Sequence, residues 1–215
     1  MPDRPGLDRS RGMRLSLAAY RREFRERQWE ISDQESWKLE RRQHFAEPGF
    51  ESWEAFHRGS WDEALRLIEA EREYLREFSA EAARRNIGLY RVRVVERPID
   101  PYLQWELHLL RLREECGEMI RVVGPEAVRP VEARSLLPEL VTLGSRTLYE
   151  VLYNADGALD GAIRYTDAAI VDRWTAFIRD LFEKGEELNT YFSREIAGLP
   201  PPAGDATHPQ RAARG

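Results

Sequence analysis

The stretch Leu89-Tyr90-Arg91-Val92-Arg93-Val94-Val95, followed by Glu96-Arg97-Pro98 and Ile99-Asp100-Pro101-Tyr102-Leu103-Gln104-Trp105-Glu106-Leu107, decides the fold class. Its first seven residues read as a buried strand, and two prolines then turn the chain into an amphipathic helix over 99–113. Arg91 and Arg93 are two positions apart, so on a strand they share one face, roughly 7 Å from each other at ~3.4 Å per residue. Charged side chains are rarely buried unless paired, so an anion must meet them. Glu106, flanked by Trp105 and Leu107, is a candidate, because a buried carboxylate needs a cation. The expected arrangement is an internal Arg–Glu pair that docks helix 99–113 on strand 89–95. The functional alternative leaves one arginine free at the carboxyl end of the strand, where open α/β sheets bind ligands. A guanidinium there suits a carboxylate or phosphate, and Tyr102 adds a hydroxyl. Arg91, Arg93, Tyr102 and Glu106 are therefore the candidate ligand-binding residues.

Working outward, Leu17, Tyr20, Phe24 and Ile31 have loosely helical spacing, and Ser32-Asp33-Gln34-Glu35 has the form of a capping box. Residues 37–45 fit either a strand or a helix. Glu47-Pro48-Gly49 is a break. Phe50, Trp53 and Phe56 predict a short helix ended by Gly59. Ser60-Trp61-Asp62-Glu63 opens a long helix, with Trp61, Leu65, Ile68, Leu75, Phe78 and Ala82 on one face, closed by Asn86 and Gly88. Residues 118–123 read as a strand, and 124–138, interrupted by three prolines, as irregular. Residues 146–153 and 158–165 alternate around Asn154-Ala155-Asp156-Gly157, a hairpin signal. Thr166-Asp167 caps a last helix whose apolar face runs from Ile170 to Tyr191. The expected fold is α/β (α+β): a mixed sheet with a β-hairpin, helices packed on it, and a helical N-terminal part. The expected boundaries are a disordered tail over 1–13, the helical part over 14–88, the α/β part of the same domain over 89–195, and a second disordered tail over 196–215. Trimming to 14–196 is expected to leave the fold intact.

The chain has 215 residues, enough for one domain with a sizeable core, and the hydrophobic fraction of 42% excludes a disordered protein. The formal net charge of −5 argues against direct nucleic-acid binding. Basic residues are almost all arginine, which codon bias in a GC-rich genome explains better than phosphate recognition. The single cysteine, Cys116, excludes an intramolecular disulfide and any zinc site with two thiolates. Its acidic neighbours make it unreactive. No apolar run is long enough to span a membrane and no signal-peptide core is present, so the expected location is the cytoplasm, without membrane association.

Walker loop, G-x-G-x-x-G, G-x-S-x-G and H-E-x-x-H patterns are absent. None of the four histidines is followed by lysine two positions later. His108, on helix 99–113, has no second histidine near it and reads as structural. Glu114-Glu115 and Glu186-Glu187 read as solvated faces. No catalytic residue, cofactor or metal is expected.

Residues 37–45, Glu47-Pro48-Gly49, Ser52-Trp53 and Gly59-Ser60-Trp61 resemble the first half of an actinobacterial family of unknown function. Arg91-Val92-Arg93-Val94-Val95, Pro98, Tyr102, Trp105-Glu106, Gly117-Glu118 and the Asp156-Gly157 turn continue the resemblance, which covers roughly residues 17–192. It implies a regulatory or accessory role, since members stand beside or fused to helix-turn-helix regulators and small companion proteins. The second half is also distantly similar to phospholipase-D-like sensor domains of transcription regulators, without their H-x-K signature.

Three functions follow as expectations. The first is a non-enzymatic binding module in an actinobacterial regulatory system, taking a partner protein or a small anionic ligand. The second is an enzyme acting on a phosphate- or carboxylate-bearing substrate at Arg91, Arg93, Tyr102 and Glu106. The third is a structural scaffold partner. On the sequence, the purified protein does not hydrolyse phosphodiesters, because a nucleophilic histidine lacks an orienting partner. Release of nitrophenol from bis-p-nitrophenyl phosphate without added metal, abolished by His108→Ala, would be the contrary result.

Overall fold

Strand periodicity divides the central strands between two helical layers. The computed structural model of the chain describes residues 3–202. In chain order the elements are β1 (Met13–Ser16), α1 (Leu17–Arg27), β2 (Glu35–Glu40), α2 (Glu51–His57), α3 (Trp61–Ala70), α4 (Arg72–Arg84), β3 (Gly88–Val94) and α5 (Pro101–Glu115). They continue with β4 (Met119–Val123), α6 (Pro125–Val128), β5 (Glu139–Leu143), β6 (Thr147–Tyr153), β7 (Leu159–Tyr165), α7 (Ala168–Lys184), β8 (Glu186–Glu187) and α8 (Leu188–Glu195). Among the described residues the strands form one eight-stranded mixed sheet in the order β1-β7-β6-β5-β2-β3-β4-β8. The β2–β3 and β3–β4 pairs are parallel and the others antiparallel. This is the expected mixed sheet with a hairpin and helices packed on it. No helix among the described residues is long and apolar enough to cross a membrane.

On one face, α7 buries Ile170, Val171, Trp174, Phe177, Ile178 and Leu181 against Trp37, Leu39, Val92, Val94, Leu140 and Leu148. Each such side chain contributes on the order of 1.5–3 kcal/mol. Asp167 caps α7, its carboxylate accepting from the amide of Ala169 at 2.9 Å. On the other face, Leu103, Leu107 and Leu110 of α5 meet Val95, Ile120 and Val122, joined by Leu188 and Phe192 of α8. α2 and α3 close over Tyr102 and Trp105. Asp100 caps α5 by accepting from the amide of Tyr102 at 2.8 Å, with Pro101 in the first turn. β1 reaches the sheet edge over Gly161, where an added Cβ would stand 2.3 Å from the carbonyl of Leu15.

Several local expectations are corrected. The N-terminal part is not helical throughout, because β2 lies mid-sheet between β5 and β3. Ser32–Glu35 opens no helix: Asp33 and Asn86 both take positive φ, and the Asn86 amide donates to the Asp33 carboxylate at 3.0 Å. The long helix over 61–84 is two helices that meet at Glu71, and the Ser60 side chain caps neither. β5, with five buried residues, lies next to the irregular segment and was not expected, since its continuous apolar run is short and shows no alternation. The last helix stops at Gly185, where an added Cβ would stand 2.7 Å from that of Arg121. Leu188 and Tyr191 belong to α8 and pack in a different cluster from α7.

The expected tails also differ over the residues described. Leu7 packs on the α7 side of the core, and Arg9 pairs with the buried Glu150 at 2.6 Å. Ile196 is buried, and the carbonyl of Pro200 accepts from Gln104 at 2.9 Å. Residues 1–2 and 203–215 of the expected tails lie outside the described residues. Trimming to 14–196 removes Arg9 and leaves the Glu150 carboxylate, among the described residues, with only the Tyr165 hydroxyl as donor. We expect this trimming to lower stability by about 1–3 kcal/mol in urea denaturation, the cost of an under-satisfied buried group. A midpoint equal to that of the full chain would refute it.

Candidate functional site

The site grows from one face of two parallel strands. The register sets Lys38 opposite Arg91 and Glu40 opposite Arg93, all four on the side away from α7. Glu40, Arg91 and Arg93 are buried because the strands are central, Lys38 is partly exposed, and each is closed by a neighbour. Arg91 donates to Glu40 and to Glu118, both at 2.7 Å. Lys38 pairs with the other oxygen of Glu40 at 2.6 Å, and Arg113 with the other oxygen of Glu118 at 2.7 Å. Arg93, at 0% exposure the most enclosed of them, donates from Nε to Glu106 Oε2 at 2.8 Å, and its Nη2 lies in ion-pair contact with the same oxygen at 2.6 Å. Its Nη1 reaches the carbonyl of Arg42 at 2.5 Å. The Arg–Glu pair read from the sequence is thus Arg93 with Glu106, while Arg91 is spent on Glu40 and Glu118. Neither guanidinium is left free for an anion.

These surroundings divide the carboxylates into two kinds. Burial pushes Glu118 up, but Arg91 and Arg113 outweigh it and hold the group at about 2. Glu40, buried between Arg91 and Lys38, is likewise held well below the usual carboxylate range. Glu106 goes the other way. Burial lifts it to about 7 against the pull of Arg93, and the negative charges of Glu40 and Glu47 add to the lift. Burial also raises Glu47, whose carboxylate meets no ion pair among the described residues. Glu139 rises to about 7 by burial, although it accepts the amides of Arg41 and Arg42 that end β2.

Next to this network lies a cavity of about 420 Å³. Lys38, Glu40, Glu47, Tyr102, Glu106 and Tyr153 supply its polar lining, and Phe45, Phe50 and Leu159 part of its apolar wall. The size falls in the range of small-molecule sites. The Tyr102 hydroxyl stands between two carboxylates, donating to Glu47 Oε1 at 2.5 Å and lying 3.4 Å from Glu106 Oε1. Of the four candidate residues, Tyr102 and Glu106 line the cavity, whereas Arg91 and Arg93 stand behind it. Sequence reasoning missed Lys38, Glu40, Glu47 and Glu118. Lys38 and Glu40 alternate with Trp37 and Leu39, the only signal available. Glu47 sits in a Glu-Pro-Gly break, and nothing local marks it as folded over Tyr102. His108 is on another side of α5, with its ring 5.4 Å from Trp61 and 4.8 Å from Phe192. Desolvation there lowers it to about 4, so it is neutral. Among the described residues no group of three or more His, Cys, Asp or Glu side chains is placed to hold a metal ion.

Removing one member of a buried ion pair strands the other. Glu106→Ala is therefore expected to cost about 3–5 kcal/mol in urea denaturation, and the double change Arg93→Met with Glu106→Leu to recover most of it. A Glu106→Ala loss near zero would show that water reaches the pair.

No curated protein matches the chain. Its fold is similar to part of TrmBL2, an archaeal chromatin protein whose structure shows a novel mode of DNA binding, with a TM-score of 0.42 and 9% identity. The match covers 85% of this chain and 54% of that one, so the chain spans about half the length of TrmBL2. So remote a likeness carries no function across. A family model described as a domain of unknown function, DUF6879, matches residues 22–193, most of the chain and nearly every element that builds the site, and the protein belongs to that family.

Proposed function

We propose that the chain is a non-enzymatic binding module whose small ligand occupies the cavity beside Tyr102 and Glu106. Its setting is an accessory role in an actinobacterial transcription-regulatory system, with a helix-turn-helix regulator or a small companion protein as partner. The observation that carries the binding reading is the convergence of Glu47, Tyr102 and Glu106 on one cavity, each held by a neighbour in a fixed orientation. Preset polar groups in an apolar wall are what a selective pocket requires. The regulatory setting rests on the sequence resemblance, and the distant likeness to sensor domains agrees with it. With a net charge of −5, DNA contact is left to the partner. The anion expected at Arg91 and Arg93 gives way to a ligand that meets carboxylate and phenol oxygens, since both guanidinium groups are closed.

One observation favours an enzyme instead. A carboxyl raised to about 7, as Glu106 is, suits a general base. A phosphate- or carboxylate-bearing substrate would find the guanidinium groups of Arg91 and Arg93 closed and Arg21 only at the rim of the cavity, which weighs for binding alone.

Fractionated actinobacterial metabolite extract, screened by thermal denaturation, tests the proposal. A fraction at about 100 times its Kd should raise the melting temperature by roughly 5–10 °C. Tyr102→Phe should abolish that shift. An equal shift in wild type and variant would place the ligand elsewhere. No shift with any fraction would overturn the small-ligand reading in favour of a scaffold.

A further inference from the structure

The cavity holds more acceptors than donors. Glu47 and Glu106 both face the Tyr102 hydroxyl, which has one proton to give and directs it to Glu47 Oε1. Arg93 occupies only Oε2 of Glu106. Three acceptor sites therefore surround this corner without a donor of their own among the described residues: the second oxygen of Glu47, Oε1 of Glu106, and the lone pairs of the Tyr102 oxygen. Lys38 lines the same cavity, but its ammonium is bound to Glu40 at 2.6 Å.

We infer that the cavity receives a small primary amine, its ammonium group seated between Glu47, Glu106 and Tyr102 and its apolar body against Phe45, Phe50 and Leu159. The inference rests on the binding-pocket reading above and names the class of ligand. An ammonium brings three donors in a compact head, matching the three acceptor sites. It also supplies the cation that Glu47 lacks. A carboxylate or phosphate in the same place would face two carboxylates at close range. Arg21, exposed on α1 at the rim, adds positive charge only at the mouth.

Binding of such a cation is linked to protons. The groups that face the seat are Glu47 from its loop, Glu106 and Tyr102 from α5, Lys38 and Glu40 from β2, Arg91 and Arg93 from β3, Tyr153 from β6 and Arg21 from α1, with His44, itself paired with Asp100, packed 5.1 Å from the Tyr102 ring. Of these, Glu47 and Glu106 are raised by burial, Glu106 to about 7. A carboxyl protonated below that value must lose its proton to hold an ammonium, so amine affinity rises as pH goes from 6 to 8.

The test is isothermal titration of the full chain with two matched sets: hexylamine, hexanol and hexanoate, and 2-phenylethylamine, 2-phenylethanol and 3-phenylpropionate. The expected result is that at least one amine binds at least tenfold more tightly than its alcohol or acid. Its affinity should increase severalfold from pH 6 to pH 8 and fall at least tenfold in Glu47→Gln. Glu47→Asp should keep part of it, and circular dichroism checks that both variants fold. Acid or alcohol binding tighter than amine overturns the amine class and leaves the pocket standing. Equal amine affinity in wild type and Glu47→Gln overturns the proposed seat. No binding of either amine overturns the inference, and the metabolite screen with Tyr102→Phe then judges the pocket by itself.

Discussion

Two arginines on a central strand constrain this structure more than any other feature. A guanidinium at 0% exposure, as Arg93 is, must be paired and hydrogen-bonded or the fold loses several kcal/mol. The partners come from separate elements: Glu40 from β2, Glu118 from the turn before β4, and Glu106 from α5. Arg91 reaches Glu40 diagonally across the β2–β3 pair, since Glu40 stands opposite Arg93. A slip of one residue would turn Arg91 and Arg93 into the apolar layer beneath α7. The ion pairs therefore hold strand register and helix position together, although apolar side chains of similar volume could be as stable.

The same arrangement shapes the cavity. Because both arginines are closed, the charge left facing the open space belongs to the other side of the pairs. Glu106 gives one oxygen to Arg93 and keeps one toward Tyr102. Glu47 folds over from its loop and takes the tyrosine proton. The result is a site whose electrostatics are opposite to those of the strand behind it. Two carboxylates and a phenol share a low-dielectric corner, and burial raises both carboxyls as a consequence. The outer carboxylates, Glu40 and Glu118, each lie between two cations and stay ionised. Identical side chains thus take different roles by position alone.

Local pattern made much of the architecture legible. The alternation around Asn154–Gly157 became β6 and β7, Asp167 became the cap of α7, and Asp100-Pro101 opened α5. Trp105 and Leu107 around Glu106 marked a carboxylate that needed a buried cation. These readings succeeded because turn chemistry, capping and burial periodicity act within a few residues. Where the outcome depended on a distant segment, the pattern was ambiguous. Residues 37–45 fitted a strand or a helix, yet pairing with β3 and β5 makes 35–40 a central strand and buries Glu40. Leu7 and Arg9 lie in a polar stretch, yet β6 supplies the buried Glu150 that ties Arg9 down.

By itself the sequence determined the fold class, the hairpin, the main helices, and the requirement that Arg91 and Arg93 meet an anion. The tertiary structure decided which ones. It sent Arg91 to Glu40 and Glu118 rather than to Glu106, and brought Glu47 from 55 residues away to Tyr102. The physical reason is that pairing a buried charge is obligatory, a requirement any chain can announce locally. The choice of partner depends on sheet order and on loop paths, and those are fixed only when the whole core has packed.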